Sequence, residues 1–189
     1  MSMLTAIELR VGRLVEIDGK LYRCTFYQGV KPAKGGGFVR LKFKEVQTGN
    51  QIERCLDTEE KVAEPDVDDK EMQFLYKQGE NFVFMDLASY EQFELTPNEV
   101  GDAWQWMRDQ MTIDMLFFNG RPVSIELPIN VELKIVYTEP WIKGDTATGS
   151  TKPAKLETGA QVQVPLFIKE GETVRIDTRT GEYKDRVNL

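Results

Sequence analysis

The chain has no histidine among its 189 residues. That removes the commonest general base, the usual imidazole metal ligand and every Ser–His or Cys–His nucleophile pair. Only two cysteines are present, Cys24 and Cys55. Two thiolates do not complete a structural zinc site. Both cysteines fall in strand-like stretches and are expected as reduced, half-buried core residues. No apolar run reaches the ~20 residues of a membrane span, and Met1-Ser2-Met3 is not followed by an apolar signal core. The expectation is a cytoplasmic protein with no metal, no cofactor and no membrane partner. What is present is ordinary globular composition, 41% apolar and 29% charged, enough for one to three small domains.

Positive charge is scarce overall, with a net charge of −7, but it is concentrated. Residues 1–64 carry 11 Lys/Arg against 9 Asp/Glu, residues 65–127 carry 4 against 13, and residues 128–189 carry 9 against 9. Within the first segment, residues 10–54 hold 10 basic and 4 acidic side chains. A basic end and an acidic middle suit a protein that is oriented on a large polyanion by one end. Chance asymmetry in a small domain is the alternative.

Helical periodicity is also scarce. Residues 13–18 and 20–26 alternate apolar and polar side chains around Asp18-Gly19, a tight hairpin signal. From Phe38 to Val46 the alternation puts Val39, Leu41 and Phe43 on one face and Arg40, Lys42 and Lys44 on the other, a basic stripe. Thr48-Gly49-Asn50 turns the chain into a strand at Gln51–Leu56. Such closely spaced strands predict a small SH3-like barrel over 1–64. Glu59 to Asp69 is acidic, aperiodic and contains Pro65, which reads as a linker.

In 65–127 strands are expected at Met72–Tyr76, Phe82–Met85 and Tyr90–Leu95. A helix is expected over 97–108, because Thr96 and Glu99 form a capping box with Pro97 at the first helical position. Val100, Ala103, Trp104 and Met107 then form an apolar stripe, which assigns Trp104 to the core. Asn119-Gly120 between Ile113–Phe118 and Pro122–Leu127 is a type I′ hairpin signal. Five strands with one inserted helix predict an oligonucleotide-binding (OB) barrel. In 128–189 strands are expected at Val131–Thr138, Val162–Ile168, Thr173–Asp177 and Glu182–Val187, with a long loop from Glu139 to Lys155, and these make a second OB-like barrel.

Between the first strands lies Gly29-Val30-Lys31-Pro32-Ala33-Lys34-Gly35-Gly36-Gly37. Pro32 biases Lys31 toward extended geometry, and the glycines leave the backbone free of Cβ atoms around Lys34. An exposed hairpin loop has this composition too. A Walker-type phosphate loop does not fit, since no Ser/Thr and helix follow the lysine.

In these features the whole chain resembles the bacterial elongation factor P family. The resemblance rests on the loop Lys31-Pro32-Ala33-Lys34-Gly35, on Gly144-Asp145-Thr146, and on Lys152-Pro153-Ala154, Gly159, Val162, Val164-Pro165, Ile168 and Gly171. Asp177-Thr178-Arg179-Thr180-Gly181-Glu182-Tyr183 closes the pattern. It implies a non-enzymatic translation factor with three β-barrels in an L-shaped, tRNA-like arrangement. It further implies binding to the ribosome between the peptidyl and exit tRNA sites and relief of stalling on consecutive prolines. Lys34 aligns with the residue modified in many members, which implies a lysine-modifying enzyme. Lysylation, an aminopentanol-type extension and no modification all stay open. The functional loop is then Lys31, Pro32, Ala33, Lys34, Gly35, Gly36 and Gly37, with Arg40, Lys42 and Lys44 as RNA contacts. The ribosome-contact loop of the third segment is Gly144, Asp145, Thr146, Thr148 and Gly149. The expected partners are the ribosome and peptidyl-tRNA, and the expected state is a monomer.

Ala33 departs from the family's common glycine, and Gly37 from a frequent alanine. Two other classes compete. A general single-stranded RNA-binding or chaperone protein of OB barrels would need a basic groove in the middle segment, which is acidic instead. An enzyme using Lys34 as a Schiff-base nucleophile would need a desolvated pocket, which a glycine-rich loop does not offer.

Overall fold

The computed structural model describes residues 2–31, 36–140 and 151–187. The chain is nearly all β, with three sheets, two of them barrel-like. The strands are β1 (Met3–Thr5), β2 (Leu14–Ile17), β3 (Lys20–Val30), β4 (Phe38–Glu45), β5 (Gln51–Asp57) and β6 (Lys61–Ala63), then β7 (Val67–Gln78), β8 (Asn81–Asp86), β9 (Gln92–Leu95), β10 (Thr112–Phe118) and β11 (Arg121–Glu126). The last five are β12 (Asn130–Thr138), β13 (Thr151–Leu156), β14 (Gln161–Pro165), β15 (Thr173–Asp177) and β16 (Glu182–Arg186), and α1 (Pro97–Val100) is the one α-helix among the described residues. The sheet orders are β1-β6-β2-β3-β4-β5, β11-β10-β7-β8-β9 and β14-β13-β12-β15-β16. Two compact units contain them: residues 1–69 with 116–124, and residues 70–115 with 125–189. No helix among the described residues is long and apolar enough to cross a membrane.

In the first unit, alternation buries Val39, Leu41 and Phe43 from β4 with Val15, Tyr22, Cys24 and Val62. A second cluster joins Leu21 to Leu116 and Phe118. The expected turns form as their residues dictate. Asp18 and Gly19 take φ 52° and 74°, and Asn119 and Gly120 take 50° and 76°, the left-handed pairs that a two-residue hairpin requires. In the second unit Met72, Phe74, Phe84, Ile113 and Met115 are buried, with the Phe74 and Phe84 rings 5.4 Å apart. A separate core holds Leu133, Ile135, Leu156, Val164, Ile168, Val174 and Ile176.

Six expectations are corrected. The capping box forms, with Thr96 N and Oγ1 both donating to Glu99 at 2.8 Å, but the α-helix stops after Val100. Gly101 takes φ +58°, and residues 101–106 continue as a 3₁₀-helix. Three residues per turn put Val100, Ala103 and Trp106 on one face. Trp106 is therefore buried against the β12–β16 core, while Trp104 is 37% exposed.

Cys24 is buried, but Cys55 is exposed, because β5 turns Ile52 and Leu56 inward and Cys55 outward, opposite Arg40. The region expected as a linker contains β6, which pairs with β1 and β2. Its single buried residue, Val62, is too little for a periodic signal. Part of the long loop expected over Glu139–Lys155 is strand β13, which buries Lys152, Ala154 and Leu156. Its Pro153 lies just past Ala154, where pairing with β12 ends, so the missing N–H is not called for. Tyr90 is not in a strand. It sits at φ 61° in a turn where the Asp86 carboxylate accepts from the N–H groups of Ala88 (2.7 Å) and Ser89 (3.2 Å).

Candidate nucleic-acid interface

The glycine-rich loop crowns a long hairpin. β3 and β4 pair from Tyr22↔Glu45 to Val30↔Phe38, so residues 31–37 are the connection. Lys31 and Gly36 are exposed and Gly37 is half-buried. Pro32, Ala33, Lys34 and Gly35 lie outside the described residues, so the structure does not address the expected exposure of Lys34. The same holds for Gly144, Asp145, Thr146, Thr148 and Gly149. The chain on either side of 141–150 is tied down. Lys152 is buried and its Nζ donates to the Glu139 carbonyl at 2.7 Å, while Thr138 Oγ1 donates to the Pro153 carbonyl at 3.0 Å.

The base of the hairpin is braced from the side. Thr58 N donates to the Gly37 carbonyl at 3.2 Å, Ile7 N donates to the Thr58 carbonyl at 3.3 Å, and Ala6 N donates to the Glu60 carbonyl at 2.8 Å. The turn between β5 and β6 thus fixes where the loop leaves β4.

Below the loop, Arg40, Lys42 and Lys44 are exposed on one face of β4, as the alternation predicts. Their neighbours on that face come from pairing. Arg23 stands opposite Lys44, Phe26 opposite Lys42 and Gln28 opposite Arg40 on β3. Gln51, Glu53 and Cys55 occupy the matching places on β5. With Asp57 of β5 opposite Phe38, the three strands therefore show four cations and two carboxylates. Arg40 is not free: its guanidinium bonds Glu53, which raises the Arg40 pKa and holds the Glu53 carboxyl below its usual range. The Lys42 ammonium lies over the Phe26 ring, 5.6 Å from its centre. Behind this face, burial pushes the Cys24 thiol up.

Sequence reading missed Phe26. The register shifts between Cys24 and Phe26, and Thr25, the extra residue, donates its hydroxyl to the Lys42 carbonyl at 3.2 Å. This bulge inverts the alternation, so Phe26 points outward while Tyr27 turns in. Phe38, by contrast, lies on the basic face by the plain alternation of β4. Among the described residues no group of three Cys, Asp or Glu side chains is placed to hold a metal.

Three successive sheets, the first carrying a basic β-hairpin, define a multi-domain β protein with one cationic strand face. A family model described as "Elongation factor P (EF-P) KOW-like domain" matches residues 5–62, "Elongation factor P (EF-P) OB domain" matches 67–125, and "Elongation factor P, C-terminal" matches 131–186. The chain belongs to the elongation factor P family. It is 50% identical over 185 residues to elongation factor P of Coprothermobacter proteolyticus, covering 98% of this chain and 100% of that one. It is also 50% identical over 184 residues to elongation factor P of Moorella thermoacetica, covering 97% and 100%. Among solved structures it is similar to "Eukaryotic translation initiation factor 5A from Methanococcus jannaschii", with TM-score 0.58 and 25% identity, covering 66% of this chain and 91% of that one. A translation initiation factor eif-5a family protein from Naegleria fowleri shares the fold at TM-score 0.53 and 19% identity, covering 67% and 98%. The protein is accordingly a translation elongation factor, and a factor of this kind works with the ribosome.

Proposed function

We propose that this factor binds the ribosome between the peptidyl and exit tRNA sites, beside peptidyl-tRNA, and stimulates peptide-bond formation where consecutive prolines stall it. The observation that carries the reading is the braced β3–β4 hairpin, which holds the Lys31–Gly37 loop at the end of a basic face. The factor acts by position and not as an enzyme. Proline attacks through a constrained secondary amine, and restricting the peptidyl-tRNA near its reactive geometry is sufficient help. A hundredfold rescue corresponds to about 2.7 kcal/mol. Lys34 is the residue that reaches the tRNA terminus, as a flexible point charge suited to RNA phosphates, and it is the site a lysine-modifying enzyme would extend. Arg40, Lys42 and Lys44 take the RNA backbone. Gly144, Asp145, Thr146, Thr148 and Gly149 make a second contact with the ribosome. The protein works as a cytoplasmic monomer without a cofactor, with domains over 1–64, 65–127 and 128–189.

The test is Lys34→Ala in a translation assay with a polyproline reporter and a proline-free control. The expected result is loss of rescue on the first, no effect on the second and an unchanged melting temperature. Full rescue by the variant overturns the assignment of Lys34.

A further inference from the structure

We infer that the outward face of β3 and β4 is a stacking surface for unpaired nucleotides of RNA, with Phe26 and Phe38 against bases and Arg40, Lys42 and Lys44 on the phosphates between them. This deepens the reading of the basic face as the RNA-contacting one.

Two large apolar rings stand on a face whose other exposed side chains include Arg23, Gln28, Arg40, Lys42 and Lys44. Phe26 is 38% exposed and Phe38 37% exposed. A single exposed apolar side chain needs no explanation. Phe26, however, is outside because of a specific device. Without the extra residue Thr25, alternation would send it inward with Cys24. With it, the ring emerges opposite Lys42, and the Thr25 hydroxyl is bonded to the backbone of that lysine. Phe38 shares the face because β4 alternates without interruption.

Four backbone steps of β4 lead from Phe38 to Lys42, the partner of Phe26, so the positions that carry the two rings are about 13 Å apart along the strand. Between them lie Arg40 and, across the pair, Gln28, whose exposed amide can both donate to and accept from a base edge. Rings interleaved with cations are the chemistry of single-strand binding. Every base offers a π-face, so stacking tolerates any sequence, and the cations follow the backbone. Bases in a duplex keep their faces to themselves, so the surface selects unpaired nucleotides over paired ones.

The full-length protein, isotope-labelled, is titrated at low salt with an eight-nucleotide uridine oligomer and, separately, with an eight-base-pair RNA duplex. The expected result is ring-proton shifts at Phe26 and Phe38 with the single strand, and shifts confined to the cation-bearing backbone with the duplex. Phe26→Ala and Phe38→Ala each weaken single-strand binding about fivefold or more, weaken duplex binding less than twofold, and leave the melting temperature unchanged. Phe26→Trp keeps the affinity, and its fluorescence is quenched by the oligomer. Unmoved rings, equal losses on both RNAs, unaltered affinity in both alanine variants, or no binding of either RNA each overturn the inference. None of these results depends on Lys34, so loss of rescue in Lys34→Ala stands or falls separately.

Discussion

Gly37 and Thr58 are in contact at the root of the loop: Thr58 N donates to the Gly37 carbonyl at 3.2 Å, and a Cβ on Gly37 would stand 3.2 Å from Thr58 Cγ2 and 3.4 Å from the Val30 carbonyl. Gly37 does not need a left-handed backbone. Its size is therefore what matters there, and the neighbour that a methyl group would displace is held by its own hydrogen bond to Ile7.

The sign of Gly37→Ala should accordingly depend on Thr58. In the wild-type background the added methyl overpacks the contact and destabilises by about 1 kcal/mol. In a Thr58→Ser background Cγ2 is gone, and the same change stabilises by about 0.5 kcal/mol through the restricted unfolded chain. A double-mutant cycle by urea unfolding checks this. Equal effects in both backgrounds would show that Thr58 yields freely.

Glu53 restrains the basic face. Because Arg40 is bonded to it, Glu53→Gln releases a guanidinium for phosphate, and removing an exposed ion pair leaves stability nearly unchanged. RNA binding should tighten, and its dependence on salt should steepen by about one unit per phosphate gained. Lys42→Gln should do the reverse. Affinities measured between 50 and about 200 mM salt decide both.

The two neighbouring tryptophans should separate cleanly. Trp106 is 8% exposed within the β12–β16 core, so Trp106→Ala is expected to destabilise by about 3–5 kcal/mol. Trp104→Ala should do much less. Gly181→Ala should also destabilise, since Gly181 takes φ +72° and a Cβ would meet the Trp106 ring at 3.2 Å. Denaturant midpoints rank the three.

Acid should weaken the fold partly through Asp177. Its carboxylate accepts from Arg179 Nη2 at 2.8 Å, Nε at 3.1 Å and the backbone N–H at 2.9 Å. These bonds, with Lys184 close by, hold its pKa well below the usual carboxylate range. A depressed folded-state pKa adds stability that is present above the unfolded value, about 3.9, and lost as pH falls through the folded one. Asp177→Asn should therefore be less stable than wild type at pH 7, with the gap closing below about pH 4. A constant gap from neutral to acid pH would assign the loss to packing instead.

What the residues settled by themselves was local. Asp18-Gly19 and Asn119-Gly120 fixed two hairpin turns because a left-handed pair tolerates few other residues. Thr96, Pro97 and Glu99 fixed a helix start because both orphan N–H partners lie within three positions. Alternation alone put Arg40, Lys42 and Lys44 on one face of β4, since the period of a strand is two. Tertiary structure decided the rest, wherever a contact distant in sequence altered that local rule. The outward turn of Phe26 depends on a bulge held by Lys42, seventeen residues away. The exposure of Cys55 follows from which face of β5 meets the core. β6 is a strand only because β1 and β2 are there to pair with it, and Trp106 replaces Trp104 inside because Gly101 ended the helix and changed its period. The bracing of the loop by Thr58 joins residues that no pattern links, because it arises only where two turns meet in space.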